Sequence, residues 1–390
     1  MRRPIDRAML AVAVALAAAG LAVVLTQSPA SRLSSDFTIN YSAGALVRQG
    51  HLAAPYDQPA LGEMMRRVAP DGAIDPRLPF SLPLAAALPY AVLSLLPFEV
   101  AFRLFQLLSA ALLLVAVLLL QRAVAIGRGK FTLGLAIVGV LAAVPTWGTL
   151  TEGQPTAWLL LGAAMVMLVL RSDSSLVAAG AGLLLAVKPQ YLPAYLAVLF
   201  AARRWRSLAT AAAGGGLMLL SPLAGGVGGV AAMVHNALSA NQAVGVQLNE
   251  AWVAVFGPAL PPRATTVLAI ALYLAVLVAL GVLAWRQPAS MIGFATLAGT
   301  LAVLASPHAL PHDLLILAVP AWLAMVLYRE GALPNPLPGL LAIDVALLID
   351  LRGIDIPVGP IVMTAALVWY GWQFRQRSEQ RRRPPIGRAA

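Results

Sequence analysis

Ionisable side chains are scarce in this chain, and a few sit where they could do chemistry. The sequence uses arginine almost throughout and holds just two lysines, Lys130 and Lys188. Lys188 begins the break Lys188-Pro189-Gln190 between two apolar stretches. A compact ammonium there suits a phosphate group, whereas the bland alternative is a lysine snorkelling toward the interface. Asp36 lies in Ser34-Ser35-Asp36-Phe37-Thr38-Ile39-Asn40-Tyr41. A carboxylate at that place can act as a general base, or Ser35 or Asp36 can cap the helix that follows. His308, His312 and Asp313 have the i, i+4, i+5 spacing that raises a metal site. Pro311 argues against the regular helix that would bring the three to one face.

The elements that must position these groups are apolar. Of the 390 residues 60% are hydrophobic and 11% charged, with mean hydropathy +0.82, whereas about a quarter of a soluble domain is charged. Apolar runs of about 16 to 24 residues, separated by charged or Pro/Gly-rich breaks, have the length of helices crossing a hydrocarbon core roughly 30 Å thick. Barrel strands would be shorter and would alternate. The sequence therefore predicts an all-α polytopic membrane protein with spans near 8–27, 98–121, 131–147, 155–170, 174–188, 190–202, 207–222, 265–285, 289–305, 312–328, 336–351 and 357–374. The first run is long enough to span, so it reads as an uncleaved helix and not as a signal peptide.

The net charge of +11 sits mostly at the ends of apolar runs, which points to membrane orientation and not to nucleic acid. Absence of cysteine excludes disulfides, thiolate metal sites and cysteine nucleophiles. One segment decides the sidedness. Pro79 to Pro97 is apolar but carries four prolines. If it stays at the outer interface, Arg2, Arg3 and Arg7, then Arg122, Arg128 and Lys130, then Arg203, Arg204 and Arg206, and the tail from Arg375 to Arg388 all face the cytoplasm, as the positive-inside bias demands. That arrangement gives about twelve spans, both ends cytoplasmic, a first outer loop of about 28–97 and a basic cytoplasmic tail of about 375–390, in one membrane domain over 1–390. All four histidines, His51, His235, His308 and His312, then fall outside with Asp36, Glu152, Lys188 and Asp313. Ionisable groups at span edges are costly unless paired or wet, and a functional role is their default reading; solvated loop residues are the bland one.

The glycines of Ala212 to Gly216 and Gly225 to Gly229 lack the strand-to-helix setting of a phosphate loop and read as packing or loop positions. Asp344 and Asp350, in or near a late span, read as interhelical hydrogen-bonding groups.

Several blocks carry a resemblance. Asp36-Phe37 with Tyr41, then Gly50 and Pro55-Tyr56-Asp57, the Pro79 to Pro97 segment, Gly153-Gln154-Pro155, Lys188-Pro189-Gln190-Tyr191 followed by Arg203-Arg204-Trp205-Arg206, and Ser306 to Asp313 resemble, in order, blocks of glycosyltransferase family 87, which contains polyprenol-phosphate-mannose-dependent α-mannosyltransferases. The resemblance covers most of the chain. It implies a GT-C-type fold with juxtamembrane helices in the first outer loop and an active site at the outer face of the cell membrane. It also implies a polyprenyl-phosphate sugar, most simply mannosyl, as donor, a glycolipid or glycan acceptor, and no cofactor or catalytic metal. By that resemblance Asp36 is the general base; Lys188, His308 and His312 take the donor phosphate; and Phe37, Tyr41, Glu152, Gln154, Gln190 and Asp313 belong to the pocket. Some relatives have two adjacent histidines where this chain has His312-Asp313, a departure that leaves the role of Asp313 open. Direct displacement on a β-linked donor would give an α-linked product. The rival class is a transporter or flippase, which would also have about twelve spans and buried charges.

Overall fold

The computed structural model describes residues 4–70, 74–124, 130–244, 249–350 and 357–382, and those residues form helices with no strand among them. Arg2, Arg3, Arg128, Arg383 and Arg388 of the orienting clusters lie outside the described residues.

The first helix is α1 (Pro4–Thr26). A short α2 (Pro29–Leu33) follows, with Pro29 at its first position and the Ser28 hydroxyl accepting the Ser31 N–H at 3.1 Å, a standard cap. Arg32 of α2 is buried and paired with Glu99 at 2.6 Å. The next helix, α3 (Asp36–Arg48), starts after Ser35, whose side chain makes no cap bond. Asp36 is thus the first helical residue and caps nothing, so its carboxylate is available for other work. In α4 (Gln58–Val68), Leu61 and Met65 are buried while Arg66 and Arg67 point out. The Pro79 to Pro97 segment holds a 3-10 turn, Leu84–Ala87, running into α5 (Leu88–Leu93). The six residues of α5 reach about 9 Å, far short of a hydrocarbon core. It buries Tyr90 and Leu93 and exposes Leu88 and Val92, a two-faced helix suited to an interface.

A long α6 (Phe98–Ala123) follows. The span expected over 131–147 is broken in two, α7 (Lys130–Ala142) and α8 (Val144–Glu152). Pro145 in the first turn of α8 cannot continue the ladder of α7, so the chain restarts in a new direction. Gln106 of α6 donates to Leu150 O at 3.0 Å, and Asp344 accepts the Val144 N–H at 3.3 Å, so α8 is tied to the bundle at both ends. That Asp344 bond is interhelical, as anticipated.

The central helix, α9 (Thr156–Ser172), is buried along most of its length. It is followed by α10 (Ser175–Leu185), a 3-10 turn at Pro189–Tyr191 and α11 (Leu192–Ala201), the hairpin expected around Lys188. On α12 (Trp205–Leu220), Gly214 faces the Ala179 carbonyl while Gly182 of α10 faces that of Ala211; a methyl at either glycine would collide with backbone. Small residues allow this approach where lipid offers no hydrophobic drive for helix association.

The chain continues through α13 (Gly229–Val244), α14 (Trp252–Phe256), α15 (Pro262–Trp285) and α16 (Met291–Leu304). The span expected over 312–328 opens as a 3-10 stretch, Pro311–Leu317, and becomes α-helical only in α17 (Ala318–Arg329). Last come α18 (Leu337–Asp350) and α19 (Val358–Arg382), where Asp350 accepts the N–H groups of Val358 and Gly359 at 2.9 and 2.6 Å and so caps α19.

Among the described residues four helical stretches are long and apolar enough to cross a membrane: Phe98–Ala123, Trp205–Gly225, Pro262–Trp285 and Pro311–Arg329. Leu10–Thr26, Thr156–Ser172, Ser175–Leu185 and Met291–Leu304 are apolar but shorter.

Candidate active site

The C-terminal turn of α8 holds Asp36. Gly153 takes the left-handed conformation (φ +62) and reverses the chain, so that the residues on either side of it both reach the start of α3. The Glu152 carboxylate accepts the backbone N–H of Asp36, and the Gln154 side-chain amide donates to Asp36 Oδ2. One carboxylate oxygen of Asp36 is thereby held. Behind it Phe37 is fully buried, with ring centroids 5.0 Å from Phe102, 5.4 Å from Phe105, 5.5 Å from Phe98, 5.7 Å from Tyr90 and 5.9 Å from Tyr41. The Tyr41 hydroxyl donates to Leu96 O at 2.8 Å. This aromatic block fixes the backbone that carries Asp36.

Burial raises the pKa of Asp36 above the usual carboxylate range, with the Asp313 charge adding to the rise; the Gln154 hydrogen bond and the Lys188 charge work against it. The Glu152 carboxyl is pushed up to about 7, first by burial and then by the Asp36 charge, against the pull of the Asp36 N–H.

The facing group is a buried ion pair flanked by imidazoles. Lys188 at the hairpin tip is 7% exposed, His312 4% and Asp313 0%, so the three lie out of bulk water. The Lys188 ammonium forms an ion pair with Asp313 Oδ1, and its Nζ lies 3.3 Å from His312 Nε2. An ammonium has only donors, so Nε2 accepts and the neutral ring carries its proton on Nδ1. Asp313 Oδ2 accepts the Leu310 N–H at 3.2 Å, which ties the pair to the start of the 3-10 stretch. Next to it, His308 sits in a loop fastened by Ser306, whose hydroxyl donates to His308 O at 2.6 Å, and by Gln190, whose amide donates to the same oxygen at 3.1 Å. Tyr273 of α15 donates to Gln190 O at 2.7 Å. Burial pushes His308 down to about 4, with Lys188 adding to the fall and Asp313 opposing it. At neutral pH the ring is uncharged and offers one donor and one acceptor.

Helix α8 links the two halves. Its last turn holds Asp36, while one turn earlier Thr149, whose hydroxyl donates to Pro145 O at 2.8 Å, lies 3.4 Å from His312 O, and Gly148 leaves room for His312 Cβ. Asp36 lies within electrostatic reach of both Lys188 and Asp313.

This arrangement, a held carboxylate facing a buried ammonium and two imidazoles in an apolar helical protein, coincides with a family match. Glycosyltransferase family 87 matches residues 80–307, more than half of the chain. The chain belongs to glycosyltransferase family 87. No curated protein matches it. Family 87 membership places it among membrane glycosyltransferases, where hydropathy alone leaves a transporter equally open. The matched range holds Glu152, Gln154, Lys188 and Gln190, and it stops one residue before His308; Asp36 precedes it.

In this family 87 protein two of the four histidines stand apart from the site. His51 is exposed in the loop beyond the far end of α3, and His235 is exposed on α13. Among the described residues no group of three His, Asp or Glu converges as metal ligands, Asp313 being engaged by Lys188.

Three participants escape sequence reasoning. Asn249 donates to Pro307 O at 3.3 Å and accepts the Ala309 N–H at 3.2 Å, while the Glu250 N–H donates to Ala309 O at 2.6 Å. Together they clamp the His308 loop. Tyr191 is fully buried beside Asp313. Nothing local marks Asn249 or Glu250, because their partners lie some sixty residues away; Tyr191 stood in a quoted block but reads as an apolar hairpin residue.

Proposed function

We propose that this family 87 glycosyltransferase moves a hexose, mannose in the first instance, from a polyprenyl-phosphate donor to a lipid- or glycan-linked acceptor at the non-cytoplasmic face of the cell membrane. The single observation that carries the proposal is the placement of Asp36 and Lys188 in one electrostatic environment, joined through α8.

Asp36 takes the acceptor hydroxyl proton as that oxygen bonds to the anomeric carbon. The bond from the anomeric carbon to the phosphate oxygen breaks, and its electron pair leaves with the lipid phosphate. Lys188 and the N–H donors of His308 and His312 meet the charge that grows on the phosphate, a placement of fixed donors that is often the largest electrostatic contribution to catalysis. A positioned base contributes about 10²- to 10⁴-fold. Asp313 occupies the Lys188 ammonium until the phosphate arrives, which keeps a buried cation paired in the empty site. In-line attack inverts the donor configuration. No cofactor or metal enters the scheme.

The reading includes a GT-C-type architecture of about twelve spans in one domain, the short apolar helices completing the count, with both ends in the cytoplasm. The two-faced α5 and the amphipathic α4 support juxtamembrane helices in the first outer loop. The cysteine-free sequence allows a direct test of sidedness. A His51→Cys variant, at an exposed position of the first outer loop, should label with an impermeant maleimide on intact cells, and labelling only after permeabilisation would invert the topology.

The function itself is tested by incubating purified protein with a panel of polyprenyl-phosphate sugars and nucleotide sugars and following donor consumption and product mass. Consumption of the mannosyl donor ahead of the others, with one hexose added to a lipid or glycan, is the expected result. Consumption of nucleotide sugars alone would overturn it.

A further inference from the structure

At the end of α11 away from Lys188 the structure builds a second cationic site, unrelated to sugar transfer. The turn into α12 places Arg203 in the left-handed conformation (φ 57), uncommon for a non-glycine residue. Its guanidinium lies 5.4 Å from the Phe200 ring, 5.4 Å from Trp205 and 5.2 Å from Trp285, and it donates to Trp285 O at 2.8 Å. One buttressed arginine therefore fastens the α11–α12 turn to the C-terminus of α15 and holds two indoles against a single point.

Both indoles remain outward, Trp205 50% and Trp285 66% exposed. Each is followed in sequence by an exposed arginine, Arg206 and Arg286, and neither guanidinium has a hydrogen-bond or ion-pair partner among the described residues. The local acid is already committed: Asp173 pairs with Arg204 at 3.4 Å and accepts the Ser207 hydroxyl at 2.9 Å. Two unpaired cations thus flank two exposed indoles. Leading to this corner along α15 is an exposed apolar strip of Val278, Val282 and Leu283.

We propose that this corner binds an anionic phospholipid, its headgroup phosphate between Arg206 and Arg286, its glycerol region against Trp205 and Trp285, and its acyl chains along the α15 strip. Two free cations match one lipid phosphate, and amphipathic rings at helix ends sit at headgroup depth. The apolar strip decides for a lipid over a soluble anion, since a free phosphate has nothing to place on Val278 and Val282. Bound there, the lipid braces α15 against α11. Nearer the hairpin tip Tyr273 of α15 bonds Gln190 O in the 3-10 turn that leads into α11.

The test uses purified full-length protein in nanodiscs of phosphatidylcholine with a minor fraction of phosphatidylglycerol, released into detergent and read by native mass spectrometry. Wild-type protein should retain phosphatidylglycerol over phosphatidylcholine. The double variant Arg206→Gln, Arg286→Gln should lose that preference by roughly thirtyfold, in keeping with two interfacial cations removed. The Lys pair at the same positions should keep most of it, which separates loss of charge from misfolding. Arg263→Gln, an exposed arginine at the other end of α15, should retain the lipid like wild type. Equal retention in wild type and the Gln double variant would overturn the proposal. So would displacement of the lipid by millimolar inorganic phosphate, which would assign the corner to a soluble anion.

Discussion

Lys188 and Asp313, 125 residues apart in sequence, form an ion pair buried beneath the hairpin tip, and His312 completes the contact. On the proposed mechanism this pair holds the Lys188 ammonium in place before the donor arrives, with Asp313 as the partner that the donor phosphate displaces.

Removing one member of that pair should cost far more than removing both. Asp313→Leu leaves a buried ammonium facing only a neutral imidazole, and loss of one partner of a buried pair costs about 3–5 kcal/mol. The double variant Lys188→Met, Asp313→Leu should recover most of that stability while remaining inactive. Unfolding of purified protein in detergent reads the difference, and additive losses would contradict the pairing.

Gly153 should tolerate no side chain. Alanine there would be strained by the positive φ and would place its Cβ 2.5 Å from Phe37 Cβ. Relief requires Phe37 and Asp36 to move, and a misplacement near 1 Å costs on the order of 10²-fold in rate. Gly216→Ala on α12, where a methyl meets nothing within 4 Å, is the matched control and should be near wild type in transfer assays. Equal activity in the two variants would show that Gly153 does not position the base.

The pH profile should report the Gln154 contact. Burial raises the Asp36 pKa and the Gln154 amide lowers it. A base must be deprotonated, so activity falls as pH drops through that pKa. Gln154→Leu removes a stabiliser of the charged form, raises the pKa further and should shift the acid limb of kcat to higher pH. An unmoved limb would exclude the contact from catalysis.

The outline of the site is written in local sequence. Lys188 stands out because the chain uses lysine so sparingly, and the Lys188-Pro189-Gln190 break between two apolar stretches marks the turn. Pro311 correctly warned that His312 and Asp313 would not sit on a regular helix, and the 3-10 stretch is the result. By contrast, the break between α7 and α8 at Pro145 was folded into a single span, because apolar content continues across it while backbone direction does not. Long-range clamps were invisible for a simpler reason. The bonds from Gln154 to Asp36 and from Asn249 to the His308 loop cross 118 and about 60 residues, and no periodicity encodes such pairings. Asp36 itself read equally as a cap until the structure placed it inside α3, with Ser35 before it.

Whether Asp36 removes the acceptor proton is decided most directly by Asp36→Asn, nearly isosteric and still able to bond Gln154 but not basic. Single-turnover transfer from a polyprenyl-phosphate hexose by the purified variant should fall by about 10²-fold or more, with donor binding and thermal unfolding close to wild type. Transfer at the wild-type rate would contradict the account.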